Sequence, residues 1–177
     1  MKLIVLDRDG VINHDSAAYI KSPAEWRPIA GSLAAIAQLN QVGFHVIVTT
    51  NQSGIGRGFF DMATLNAIHD KMHKALAQAG ARVDAIYFCP HAAADNCSCR
   101  KPKPGMLQDI AHRLNTPMAE VTVVGDSLRD LQAAAAVGAQ PVLVLTGNGK
   151  KTQRAGDLPP GTRIYADLAA AVDAMVE

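Results

Sequence analysis

Leu3-Ile4-Val5-Leu6-Asp7-Arg8-Asp9-Gly10 is the stretch that decides how this chain folds. Four apolar residues run without a break into two carboxylates one residue apart, and then a glycine. A short uninterrupted apolar run reads as a strand buried on both faces, the kind found inside parallel sheets. Its charge appears where the strand leaves the sheet, which is where open α/β sheets place their ligand sites. A carboxylate pair there can hold a hard cation, attack an electrophile or pass a proton. It can equally end a strand in an Asp-Gly turn. By itself the stretch leaves these readings open.

The same punctuation recurs down the chain. Residues 44–48 form a second apolar run, ending in Thr49-Thr50-Asn51; 85–88 form a third, running into Cys89. A fourth, 121–124, ends in Gly125-Asp126-Ser127, and 141–145 and 163–166 supply a fifth and a short sixth. Between them apolar residues recur at helical spacing: Leu33, Ile36 and Leu39 before Gly43; Leu65, Ile68, Met72 and Leu76 behind a capping Asp61; Leu107, Ile110 and Leu114 after Pro104. An alanine-rich helix ends at Gly138, and Asp167 caps a last one. Residues 11–28 read as a long polar loop with a functional role, and 146–161 as a Gly/Lys-rich loop. Alternating strands and helices predict a three-layer α/β fold around a mostly parallel sheet. The 177 residues suit one domain, 1–177, and no stretch is long enough for an inserted cap domain.

Composition narrows the function. Apolar residues make up 49% and charged residues 19%, with a net charge of +1. There is no basic surplus for nucleic acid and no polybasic segment for a membrane surface. The apolar runs fall well short of the roughly 18 residues needed to span a bilayer. The N-terminal run ends in Asp7 and does not read as a signal peptide, so a cytoplasmic monomer is expected. Three cysteines within eleven residues fit a metal site in a reducing compartment better than a disulfide framework.

In a parallel sheet the strand ends share one edge. Asp7 and Asp9, Thr50, and Asp126 with Asp130 behind it would converge there, and Lys101 reaches that edge from the loop after the third strand. Gathered carboxylates call for a cation, and all-oxygen ligands point to Mg²⁺. Asp7-Arg8-Asp9-Gly10, Thr50, Lys101 and Gly125-Asp126 with Asp130 resemble, in order, the four motifs of the haloacid dehalogenase-like (HAD) phosphohydrolases. That resemblance covers the whole chain and implies a HAD-like Rossmannoid fold without a large cap. It makes Asp7 the nucleophile, forming an aspartyl-phosphate, and Asp9 the general acid and base. Thr50 and Lys101 would hold the phosphoryl oxygens, and Asp7, Asp126 and the Asp9 carbonyl would ligate Mg²⁺.

Cys89-Pro90-His91, five residues, and Cys97-Ser98-Cys99 make a closed Cys₃His set, the pattern of a structural Zn²⁺. Its role would be mechanical, since Arg100 and Lys101 follow the last ligand directly, in a loop with too few apolar residues to order itself. The run Cys97-x-Cys99-Arg100-Lys101-Pro102-x-Pro104-Gly105-Met106, with Thr50-Asn51-Gln52-Ser53-Gly54-Ile55-x-Arg57-Gly58, resembles the small bacterial heptose-bisphosphate phosphatases. Histidinol-phosphate phosphatases share the zinc loop and the four motifs. A non-catalytic zinc-stabilised binding module and a phosphotransferase are the other classes. The heptose resemblance implies a small sugar phosphate as substrate, recognised by Arg100 and Arg57, with Asp15, Ser16, Tyr19, Asn51, Gln52 and Ser53 lining its site. Ser127 stands where relatives carry lysine.

Other features read more plainly. Gly54-x-Gly56-x-Gly58 lacks dinucleotide-fingerprint spacing and reads as a flexible loop. His69 and His73, four apart on a helix, read as a solvated face, as do Lys150, Lys151 and Arg154. Trp26 is expected to pack under the long loop.

Overall fold

The computed structural model describes residues 1–177. Its six strands are β1 Lys2–Leu6, β2 Phe44–Asn51, β3 Ala85–Cys89, β4 Thr122–Gly125, β5 Gln140–Val144 and β6 Arg163–Tyr165. They form one sheet in the order β3-β2-β1-β4-β5-β6, and every pair is parallel. The helices are α1 Ser32–Gln41, α2 Ser53–Gly56, α3 Met62–Gln78, α4 Gly105–Leu114, α5 Leu128–Ala136, α6 Gly149–Ala155 and α7 Leu168–Val176.

The pleat of β1 explains why its run is apolar throughout. Ile4 and Leu6 point into a core completed by Ile36 and Leu39 of α1, Ile68 and Met72 of α3, and Leu168 and Val172 of α7. Leu3 and Val5 point the other way, against Leu107 and Ile110 of α4 and Ala133 and Ala134 of α5. Burying one such side chain contributes about 1.5–3 kcal/mol, so both faces of the strand are committed to apolar residues. No helix is long and apolar enough to cross a membrane.

Register sets where the chain leaves the sheet. Leu6 is level with Val48 on one side and Val124 on the other, and the Asp7 N–H still donates to the Val124 carbonyl at 2.9 Å. Asp7, Thr50 and Asp126 therefore emerge at nearly one level, beside the point between β1 and β4 where the strand order reverses.

Three expectations need correction. Residues 146–161 are not all loop: Gly149–Ala155 is helical. Only Gly149 and Thr152 of that helix are buried, so it shows no apolar period. The Gly54–Gly58 stretch is not all loop. It opens with the single turn of α2, and a Cβ on Gly54 would overlap the Phe60 ring while one on Gly56 would lie 2.7 Å from the Pro90 carbonyl. His69 is buried rather than solvated, whereas His73 is exposed. Trp26 is fully buried and packs as expected, and Lys150, Lys151 and Arg154 are exposed.

Candidate active site

The ends of β1 and β2, the loop after β3 and the 11–28 loop surround a cavity of about 220 Å³. Asp7, Asp9, Thr50 and Lys101 line it, together with Asp15, Ser16 and Tyr19, Asn51, Gln52 and Ser53, and Arg57 and Arg100. Each residue expected to meet substrate thus lies on this one wall. Asp126 sits behind it, 1% exposed.

Asp7, Asp126 and Asp130 each place a carboxylate oxygen within 4.8 Å of the other two, and all three are buried. The Lys101 ammonium serves this group. It donates to Asp130 at 2.9 Å and to the Thr49 carbonyl at 2.7 Å, and lies 3.3 Å from Asp7. One cation does not balance three carboxylates. Burial, then the charge of Asp130, pushes the Asp7 carboxyl well above the usual carboxylate range. The same two causes push Asp126 up to about 6. Burial opposes charge on Lys101 too, but Asp130 and Asp7 hold its ammonium above the ordinary lysine range. A buried, charge-deficient oxygen cluster of this kind suits a divalent cation. The Asp9 carbonyl accepts no backbone hydrogen bond, which leaves its lone pairs available to such an ion.

Asp9 is held differently. Its Oδ1 accepts from Arg8 Nε at 2.8 Å and Asn13 Nδ2 at 3.0 Å, and its Oδ2 from Gln52 Nε2 at 3.2 Å. Burial works against its charge, but Arg8 and these amides hold it below the usual range. Two carboxyl groups two residues apart therefore differ in proton affinity: with no cation bound, burial and Asp130 favour the proton on Asp7, while Arg8 and the amides favour the charge on Asp9.

Several participants escaped the sequence reading. Asp126 sits in a cradle made largely by the start of α6: the Asn148 N–H donates to Oδ2 at 2.8 Å, Ser127 Oγ to Oδ1 at 2.9 Å, and Thr152 Oγ1 to the Asp126 carbonyl at 2.8 Å. Gly10 and Gly147, with φ of 84° and 54°, pass so close that a Cβ on either would overlap the Asp126 carboxylate. The available signal was Gly147-Asn148-Gly149 just beyond a strand end on the catalytic edge. Arg129 lines the cavity from α5, three residues after Asp126, while the Ser127 hydroxyl is committed to Asp126. Asn51 also braces the neighbouring loop. Its Nδ2 donates to the Lys101 carbonyl at 3.2 Å, and the Lys101 N–H donates to its Oδ1 at 3.1 Å.

Cys89, His91, Cys97 and Cys99 come together beside this wall with no disulfide between them. Cys89 Sγ lies 3.6 Å from Cys97 Sγ and 2.8 Å from Cys99 Sγ; His91 Nδ1 lies 3.5 Å from Cys89 Sγ and 3.3 Å from Cys99 Sγ. Tetrahedral Zn²⁺ with 2.3 Å Zn–S bonds sets sulfurs about 3.7 Å apart, so the group can close on zinc with small shifts. The thiols are mismatched without a cation: burial and Cys99 push Cys89 up to about 12, while against burial the Arg100 N–H draws Cys97 down to about 6. Arg100 Nη1 is buried with no hydrogen-bond partner in the protein, although its side chain lines the cavity.

Residues 98–171 match a family model described as HAD-hydrolase-like. The D-glycero-beta-D-manno-heptose-1,7-bisphosphate 7-phosphatase of Bordetella bronchiseptica is 60% identical over 177 residues, covering 100% of this chain and 99% of that one. The chain belongs to the HAD-like heptose-bisphosphate phosphatases. The Pseudomonas aeruginosa member is 50% identical over 99% of this chain and 98% of its own. A crystal structure of the B. bronchiseptica D,D-heptose 1,7-bisphosphate phosphatase with magnesium and phosphate superimposes with a TM-score of 0.98, at 61% identity, over 99% of this chain and 98% of that one. As a member of this family of phosphatases the chain is a phosphoric monoester hydrolase with a HAD-like fold and no large cap.

Proposed function

We propose that this chain removes the 7-phosphate of D-glycero-D-manno-heptose 1,7-bisphosphate, a step towards the heptose of lipopolysaccharide core. The observation that carries the reading is the convergence of Asp7, Asp9, Thr50 and Lys101 on one cavity, with Asp126 behind them. The names of its full-length relatives supply the sugar. The polar wall, with arginines at 57, 100 and 129 and an unpartnered Arg100 Nη1, suits a doubly phosphorylated sugar.

The residues divide the work between them. Asp7 attacks the 7-phosphorus; an Asp7–phosphorus bond forms as the bond to the sugar oxygen breaks. Asp9 gives its proton to that oxygen and then takes one from the water that hydrolyses the aspartyl-phosphate. Thr50 and Lys101 hold phosphoryl oxygens while charge redistributes among them. Asp7, Asp126 and the Asp9 carbonyl would hold Mg²⁺, which neutralises negative charge on the phosphoryl group. Asp15, Ser16, Tyr19 and the 51–53 segment shape the wall, and Arg57 and Arg100 meet the sugar phosphate. Zn²⁺ on Cys89, His91, Cys97 and Cys99 would fix the Arg100–Lys101 loop. The chain acts as one domain and as a monomer, in the cytoplasm, where its three unlinked thiols stay reduced.

The test is Mg²⁺-dependent phosphate release from a panel that includes the heptose bisphosphate and histidinol phosphate. The heptose bisphosphate should give the highest kcat/KM, and Asp7→Asn should abolish turnover without unfolding the protein. Faster turnover of histidinol phosphate, or near-normal activity of Asp7→Asn, overturns the reading.

A further inference from the structure

Arg8, between the two aspartates, is the least expected residue of the site. Its side chain is fully buried, and a buried guanidinium must be met by acceptors. Two of its nitrogens serve Asp9: Nε donates to Oδ1 at 2.8 Å, and Nη2 lies 2.8 Å from the same oxygen as a charge contact. The third, Nη1, lies 3.0 Å from Nε2 of His69, a residue of α3 sixty-one positions away. A guanidinium has no lone pair to offer, so Nε2 accepts and the imidazole proton sits on Nδ1. Burial, and then the Arg8 charge, push His69 down to about 4, which keeps this acceptor neutral and in place.

The result is an asymmetric carboxylate. Asp9 Oδ1 faces Arg8 and Asn13, while Oδ2 has only Gln52, at 3.2 Å. A carboxyl group that must release and recover a proton does so through its less occupied oxygen. Turning Asp9 about its terminal bond would exchange the two oxygens, and the Arg8 fork opposes that turn. Arg8 can hold Asp9 only if its own far end is held.

We propose that His69 is a positioning residue for the reaction: by accepting from Arg8 Nη1 it locks the guanidinium that presents Asp9 Oδ2 to the leaving-group oxygen. The inference rests on the phosphatase reading and on Asp9 as its proton carrier. The buried histidine is thus part of the acid–base apparatus, although α3 supplies no residue to the cavity wall.

A leaving-group comparison separates this role from simple packing. A sugar alkoxide needs a proton as its bond to phosphorus breaks; p-nitrophenolate does not. Both substrates are followed through kcat/KM, which ends at formation of the aspartyl-phosphate. His69→Leu removes the acceptor, and His69→Gln offers an amide oxygen in its place. His69→Leu should lower kcat/KM for the heptose bisphosphate by about 10- to 100-fold, part of the roughly 10²–10⁴-fold that a positioned acid supplies, while p-nitrophenyl phosphate stays within about 3-fold of wild type. His69→Gln should recover most of the loss. An equal fall on both substrates, no fall on either, or a Gln variant no better than Leu overturns the proposal. If His69→Leu does not fold, His69→Asn, whose shorter amide falls short of Arg8, must give the same selective loss. A wild-type enzyme that releases no phosphate from the heptose bisphosphate would instead refute the assigned function, which the unmodified protein reveals before any variant is made.

Discussion

Lys101→Met tests whether the catalytic edge is a charge-balanced unit. The substitution keeps the length of the side chain and removes its ammonium from among Asp7, Asp130 and the Thr49 carbonyl. Taking one partner from a buried ion pair costs about 3–5 kcal/mol, because the remaining charge stays buried and unmatched. Here two carboxylates lose the same cation, both below 8% side-chain exposure, so the upper half of that range applies. At about 2–4 °C per kcal/mol for a chain of this size, the melting temperature of Mg²⁺-free protein should fall by roughly 10–15 °C at pH 7.5. The pH dependence has a definite sign. Lys101 now lowers the Asp7 pKa, which burial and Asp130 already raise, so its loss raises that value further. The folded state then holds a proton that the unfolded state has released, and stability rises as pH falls through the folded pKa. The deficit should therefore shrink at pH 5, and Mg²⁺ at pH 7.5 should recover part of it. Thermal unfolding at two pH values, with and without Mg²⁺, reads all of this. A fall under about 3 °C, or a deficit that grows on acidification, refutes the reasoning.

Asp126→Asn should stabilise metal-free protein at pH 7.5, by clearly less at pH 4.5, and not at all below the unfolded value of 3.8. Raising a carboxyl from 3.8 to about 6 disfavours its ionised form by at most ~3 kcal/mol, a penalty lost as pH falls below 6; lower stability than wild type at pH 7.5, by thermal unfolding, would count against it. Gly147→Ala forces a Cβ onto the Asp126 carboxylate at a left-handed position, which alone costs about 1–2 kcal/mol. Its half-saturating Mg²⁺ concentration in the phosphatase assay should rise at least 10-fold, and an unchanged value refutes the cradle. Cys99→Ser should cut zinc below one ion per chain by metal analysis and, by loosening Arg100, lower kcat/KM up to about 100-fold; full zinc content in the variant contradicts the ligand set.

The sheet was legible because its signals are local. The runs of β1, β2 and β4 lead into polar residues at the edge where ligands bind, and those residues carry three of the four family motifs. The zinc set was legible because four ligands fall within eleven residues. What stayed hidden joins distant segments or has no period. His69 sits beside the apolar stripe of α3 and only folding brings Arg8 to it, so its spacing to His73 suggested solvent. Asn148 and Gly147 reach Asp126 from the start of a helix too polar to announce itself. Arg129 belongs to no motif quoted from the sequence, and only the folded position of α5 brings it to the cavity.

The strand order has a consequence for how the molecule loosens. β1, which delivers Asp7, has β2 and β3 on one flank and β4, β5 and β6 on the other. Transient opening starts at the rims of a sheet, so amide exchange should be slowest around the carboxylates and fastest along β6, which is three residues long and mostly exposed. The opposite rim, β3, is hemmed. Its last residue is Cys89, whose carbonyl accepts from the Gln52 N–H at 2.8 Å, and the next carbonyl, of Pro90, accepts from the Gly56 N–H at 2.9 Å. The backbone of the segment that opens the Cys/His cluster thus stitches this border to the start of α2. Loosening of that border would reach the Arg100 segment before the carboxylate centre, so the contacts of Arg100 are expected to fail ahead of the fold.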